Sequence, residues 1–209
     1  PPRGPRRPAR VMLAARGLAV ARGGRPVLEG LSFAVPPGGA LVLRGPNGVG
    51  KTSLLRTLAG LAPPWAGTLQ APDAAYAGHL DGAKPALTVQ ENLLFWARLH
   101  GRPLDPSLLD AFALAPLRDR PAGTLSAGQG RRLALARLAA TGRPLLLLDE
   151  PLAALDRASA DRLLLWLRAH LAGGGLAVLA VHGDLALDAP ALDLAPHAAD
   201  PLGAEAAFL

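Results

Sequence analysis

Apolar residues in this chain fall into two kinds of block, and their alternation predicts an α/β fold. The runs at 40–44 (ALVLR), 144–151 (PLLLLDEP) and 176–181 (LAVLAV) carry almost no polar interruption, as expected of parallel strands covered on both faces. Leucine and alanine recur at helical spacing over 52–59, 89–100, 106–113, 130–140 and 161–171, the last of these closing at Gly173, Gly174 and Gly175. Residues 11–20 and 31–35 read as strands of an antiparallel sheet, and 67–70 with 75–78 are expected to continue that early sheet. Between the first and second buried runs, apolar stripes broken by Pro and Gly predict a helical lobe over about 85–140. Phe95 and Trp96 lie in its first helix, as lobe core or as a contact for a membrane partner.

The loop after the first buried strand carries the chemistry. Residues 45–52, G-P-N-G-V-G-K-T, fit the phosphate-cradling pattern G-x-x-x-x-G-K-[ST]. Gly45, Gly48 and Gly50 permit backbone conformations that turn N–H groups inward, and the helix that follows offers its positive dipole end to the same anion. Pro46, Asn47, Val49 and Ser53 complete the expected cradle, and Thr52 supplies a hydroxyl for Mg²⁺. Lys51 is one of two lysines in 209 residues, where every other basic side chain except histidine is arginine. A compact ammonium is what the β- and γ-phosphates require. Taken alone, such a match is also met in glycine-rich turns.

Two further patterns support a nucleoside triphosphate. The 144–151 run should deliver Asp149 and Glu150 to the C-terminal edge of a parallel sheet, where ligands bind in such folds. There Asp149 is placed to hold Mg²⁺ and Glu150 to polarise an attacking water. L-S-A-G-Q at 125–129 precedes a strongly helical stretch, with Ser126 as a natural N-cap. N–H groups of residues 127–129 would face a second anion. One nucleotide has no use for two such devices on opposite sides unless a second subunit supplies one.

The phosphate loop, L-S-A-G-Q, L-L-L-L-D-E-P, A-A-L-D at 153–156 and A-V-L-A-V-H at 177–182 stand in the order and spacing of an ABC-type ATPase domain. The chain resembles that family over nearly its whole length. The resemblance implies a P-loop NTPase fold: a RecA-like parallel-sheet core, a flanking antiparallel β-sheet and a helical lobe. It implies ATP and Mg²⁺ as cofactors, and a head-to-tail dimer in which Ser126, Gly128 and Gln129 of one copy meet ATP held by residues 45–52 of the other. Asp156 is carried over as a cross-interface residue. His182 is carried over as the switch histidine that senses the γ-phosphate, beside Lys51 and Glu150 as catalytic residues.

Two positions depart from the family pattern. Arg22 stands where a tyrosine commonly stacks on adenine, and is either a guanidinium platform or a solvated turn residue. His79, in Y-A-G-H-L-D-G, stands near the usual Mg-proximal glutamine, and as a neutral imidazole would reach a metal-bound water. That Gly-His pair, L-T-V-Q-E-N-L-L-F-W, L-S-A-G-Q-G-R-R-L-A-L-A-R-L and the short chain are similar to the ATP-binding subunit of cytochrome c maturation haem exporters. The implied partners are the membrane permease subunits of that complex and a second copy of the chain. The implied location is peripheral, on the cytoplasmic face of the inner membrane. The groove between the lobe and the His79 segment is where the family receives a short helix of the membrane subunit. The alternatives are an ATPase subunit for another cargo and a soluble regulatory ABC protein. Against the latter, the chain shows neither tandem cassettes nor a long coiled coil.

Composition narrows these readings. No apolar run reaches the ~18–20 residues that span a bilayer, so a membrane role requires a partner. The absence of cysteine excludes thiolate metal sites and direct haem attachment through C-x-x-C-H. A net charge of +6 admits nucleic acid as a partner, but aromatics at 4% are too few for a stacking platform, and none is expected. Part of the excess lies in the Pro/Arg-rich head at 1–11, expected to be disordered ahead of a single domain at 12–209. Met12, the sole methionine, is a candidate start of translation.

Overall fold

A computed structural model of the chain describes residues 12–78, 82–183 and 185–199. Its strands are β1 (Leu13–Arg22), β2 (Arg25–Val35), β3 (Ala40–Arg44), β4 (Ala66–Gln70), β5 (Ala74–Ala77), β6 (Leu145–Asp149), β7 (Leu176–Ala180) and β8 (Ala191–Asp193). Its helices are α1 (Lys51–Leu58), α2 (Val89–Leu99), α3 (Ser107–Ala111), α4 (Ala127–Thr141) and α5 (Arg157–Ala172). The expected disordered head and His79 both lie outside the described residues.

The described strands form two sheets, an antiparallel one in the order β2-β1-β4 and a parallel one in the order β5-β6-β7-β3-β8. One expectation fails here. Residues 75–78 do not continue the antiparallel sheet: β5 crosses into the parallel sheet and pairs with β6, Ala74 to Leu145 through Ala77 to Leu148. Three residues separate β4 from β5, and only the covering of Ala75 and Ala77 by the core distinguishes them. Strand β8 is another element the periodicity does not show, since ALD at 191–193 is too short to have a period.

Why the buried runs lack alternation is plain from the packing. On one face of the parallel sheet Val42, Leu146, Leu148 and Leu179 join the core of α2, α4 and α5; on the other, Leu41, Leu43, Leu145, Leu147 and Val178 join α1 and the antiparallel sheet. Each buried leucine removes enough apolar surface to contribute roughly 1.5–3 kcal/mol. Register then places the site. Ala180 of β7 stands level with Leu43 of β3 on one side and with Asp149 of β6 on the other. The ends of these three strands, and the residues just beyond them, therefore share one edge.

Candidate active site

The loop between β3 and α1 is bent by three glycines at positive φ, Gly45 at 134°, Gly48 at 80° and Gly50 at 121°. Gly50 is the position with the least tolerance. A Cβ there would lie 2.9 Å from the Leu28 side chain, so the loop is pressed onto β2 where it enters the helix. Gly50 is also the N-cap of α1 and brings no side chain to its first N–H groups, leaving the dipole end for a ligand. Lys51 is buried, its Nζ donating to the carbonyls of Gly45 at 2.7 Å and Pro46 at 3.1 Å. The ammonium is thus folded over the mouth of the loop.

At the adjoining strand ends, Thr52 Oγ1 donates to Asp149 Oδ2 at 2.6 Å. Asp149 is buried to 2% exposure. A buried carboxylate beside a threonine hydroxyl is a hard-oxygen pair, and its chemistry fits Mg²⁺. Tyr76 of β5 reaches the same Oδ2 at 3.5 Å, and burial, then the Asp149 charge, push the phenol above its ordinary pKa. Glu150 has φ of +48°, a region costly for any residue with a Cβ. Its N–H donates to Ala180 O at 2.9 Å, and its Oε1 lies 3.3 Å from Nε2 of half-exposed His182. The two side chains meet because β7 lies beside β6.

Arg22, Val27, Asn47, Gly48, Lys51, Thr52, Asp149 and Glu150 are among the residues that line one cavity of about 200 Å³. Arg22, at the end of β1, is therefore exposed at its rim rather than turned away. A second cavity of about 230 Å³ is lined by Ser126, Gly128, Gln129, Arg132, Asp156 and neighbours, and shares no lining residue with the first. Ser126 caps α4 in a capping box with Gln129, which takes up the Gln129 N–H at 3.4 Å and turns its side chain back to the Ser126 N–H at 3.0 Å. Of the expected anion donors at 127–129, that of Gln129 is already engaged. Asp156 caps α5 through Ser159 N at 2.7 Å, and this bond holds its carboxyl below the ordinary pKa. Gly128 is closely packed: a Cβ would stand 3.2 Å from Ala154 O, so that carbonyl would have to give by a few tenths of an ångström.

Sequence reading missed two members. Tyr76 looks like an ordinary strand aromatic, and only its neighbour across the sheet gives it a polar task. Arg131 looks like one more arginine of α4, yet it is buried behind Asp149 and Glu150. Phe95 and Trp96 are expected as lobe core or as a contact for a membrane partner, and the two differ in exposure. Phe95 is 36% exposed, beneath the Lys84 ammonium at 4.5 Å, while Trp96 Nε1 is buried.

The loop, the acidic strand end and the capped helix are met together by one family model, that of the ABC transporter, which matches residues 28–153. The chain belongs to the ABC transporter family. The cytochrome c biogenesis ATP-binding export protein CcmA of Ruegeria pomeroyi is 59% identical over 187 residues, covering 88% of this chain and 91% of that protein. Its namesake in Paracoccus denitrificans is 58% identical, covering 91% of this chain and 92% of that protein. Among solved structures, an ABC transporter ATP-binding protein from Pyrococcus furiosus superposes with a TM-score of 0.80 at 24% identity, over 90% of this chain and 100% of that one, which shows the fold. Within the ABC family the chain groups with the CcmA-type ATP-binding subunits.

Proposed function

We propose that this ABC-type ATPase drives the haem-handling export complex of cytochrome c biogenesis, working as a pair of copies on the cytoplasmic face of the inner membrane. The observation that carries the cargo is the similarity to proteins named for cytochrome c biogenesis, 59% identity across 88% of the chain. In the described residues no helix is long and apolar enough to cross a membrane, and this reading assigns the membrane-spanning part to partner subunits. Residues from 12 onward act as one ATPase domain, with 85–140 as its helical lobe.

In this reading the N–H groups of the 45–50 loop and of the first turn of α1 receive the phosphates, and Lys51 exchanges its two loop carbonyls for phosphate oxygens. Thr52 and Asp149 would hold Mg²⁺, which supplies charge neutralisation at the phosphates when bound. Glu150 accepts a hydrogen bond from the attacking water and takes its proton as the bond to the ADP leaving group breaks. His182, 3.3 Å from that carboxylate, reports whether the γ-phosphate is in place. Ser126, Gly128 and Gln129 of the partner copy close the site, with Asp156 across the interface, and Arg22 covers the base. Closure of the pair follows ATP binding, and loss of the γ-phosphate reopens it.

The test is Glu150→Gln in the assembled membrane complex. Removing the base lowers turnover by about 10²- to 10⁴-fold while ATP still binds, so an ATP-bound pair accumulates and maturation of c-type cytochromes stops in the host. Full phosphate release from that variant would overturn the catalytic assignment. Normal cytochrome maturation with hydrolysis abolished would overturn the cargo.

A further inference from the structure

Arg131 lies one turn into α4, the helix whose N-terminus carries Ser126, and its side chain runs inward to 6% exposure. Its guanidinium donates to three backbone carbonyls. Nη1 donates to Gly78 O at 2.9 Å, and Nη2 donates to both Asp149 O at 3.0 Å and Glu150 O at 2.8 Å. Gly78 directly follows β5, and Asp149 ends β6. The guanidinium therefore gathers the ends of two neighbouring parallel strands, where the ladder stops and carbonyls need new donors.

Geometry makes the contact to Glu150 specific. Successive carbonyls of an extended strand point to opposite sides, so one nitrogen does not reach two in a row. The left-handed conformation of Glu150, φ +48°, breaks that alternation and turns the carbonyls of 149 and 150 the same way. Arg131 Nη2 bridges them. The Glu150 N–H is meanwhile fixed to Ala180 O at 2.9 Å. A strained φ persists only where the surroundings over-determine it, and here the surroundings are β7 on one side and Arg131 on the other.

We propose that Arg131 is a positioning residue for hydrolysis: its guanidinium locks the left-handed turn that aims the Glu150 carboxylate, and ties that turn to the helix that completes the partner copy's site. This rests on the catalytic reading of Glu150 given above. Arg131 is not itself among the lining residues of either cavity and meets the nucleotide cavity only from behind, through the backbone carbonyls of Asp149 and Glu150, so its removal leaves the side chains that face the nucleotide in place. What changes is the direction of the base. Movement of α4 as the pair closes is carried to the Glu150 backbone through the same side chain.

Arg131→Met and Arg131→Lys, made in the full chain and assembled with its membrane partners, test this beside Glu150→Gln. Lysine keeps the charge and a donor that reaches part of the carbonyl set; methionine keeps only length. The expected order of kcat is wild type, then Lys lower by about 5-fold, then Met by about 30-fold, with KM and the affinity for a fluorescent ATP analogue within about 3-fold. A merely structural role would reduce binding and turnover together, or the yield of folded protein alone. Wild-type kcat in Met, equal falls in kcat and affinity, or Lys no better than Met each overturns the proposal. If Met does not fold, the Lys variant decides: unchanged kcat refutes the role, and lowered kcat with unchanged affinity supports it. Should Glu150→Gln itself hydrolyse normally, the catalytic reading fails. Should it be silent while Arg131→Met turns over normally, only the role of Arg131 fails.

Discussion

At the scale of single residues, the site depends on backbone directions that few side chains tolerate. Gly50 combines φ 121° with a missing Cβ that leaves room for Leu28. Gly50→Ala is expected to destabilise by more than about 1 kcal/mol, because the left-handed strain and the close contact add. It should also weaken ATP binding, since N–H directions shift at the helix entrance. A urea midpoint and a nucleotide titration measure the two effects, and unchanged affinity would mean that the loop amides do not hold the phosphates. Glu150 shows the opposite situation, a side chain kept at φ +48° although glycine would relieve it. The proposed mechanism calls for a carboxylate there, and the strain is held by its neighbours.

At the scale of elements, helix ends do most of the organising. Thr88 with Glu91 and Ser126 with Gln129 form capping boxes that start α2 and α4, and Asp156 starts α5. Asn92, fully buried, fixes the chain before α2 by accepting from Lys84 N at 2.8 Å and donating to the carbonyls of Lys84, Leu87 and Thr88. The far end of α5 is tuned by His170, stacked on Trp166 with ring centroids 5.6 Å apart and bonded through Nε2 to Pro144 O at 3.2 Å. Burial lowers its pKa, partly opposed by that carbonyl bond. The folded state therefore favours the neutral ring, and its contribution to stability is complete above the ordinary imidazole value of 6.5. As pH falls, the unfolded chain takes up the proton first, and the contribution is lost as pH drops through the lowered value. Thermal midpoints measured from about pH 7.5 to 5 should fall for wild type and fall less for His170→Gln, which keeps a donor but does not titrate. Parallel curves would exclude His170 as the source.

At the scale of the whole molecule, the proposed function gives the two cavities separate tasks. That around Lys51 and that around Ser126 share no residue, so a head-to-tail pair is the symmetric way to bring one against the other. Copies carrying Lys51→Ala and copies carrying Ser126→Arg are each expected to be inactive alone. Mixed, about half of the pairs contain one of each, and each such pair keeps one intact site, so roughly a quarter of wild-type phosphate release returns if sites act independently. Absence of any recovery on mixing would argue against completion in trans.

Much of this protein was readable in the chain itself, because local physics imposes its pattern there. The glycines and Lys51 of the loop, the unbroken leucines ahead of Asp149 and Glu150, and Ser126 as a helix cap follow from rules of short range. What sequence could not decide was which distant pieces would be neighbours. That β5 leaves the early sheet, that Tyr76 faces Asp149 and that Arg131 runs under Glu150 depend on strand order and register. Residues 53 and 73 positions apart in the chain become partners only when packing sets the register, and no local periodicity records that choice.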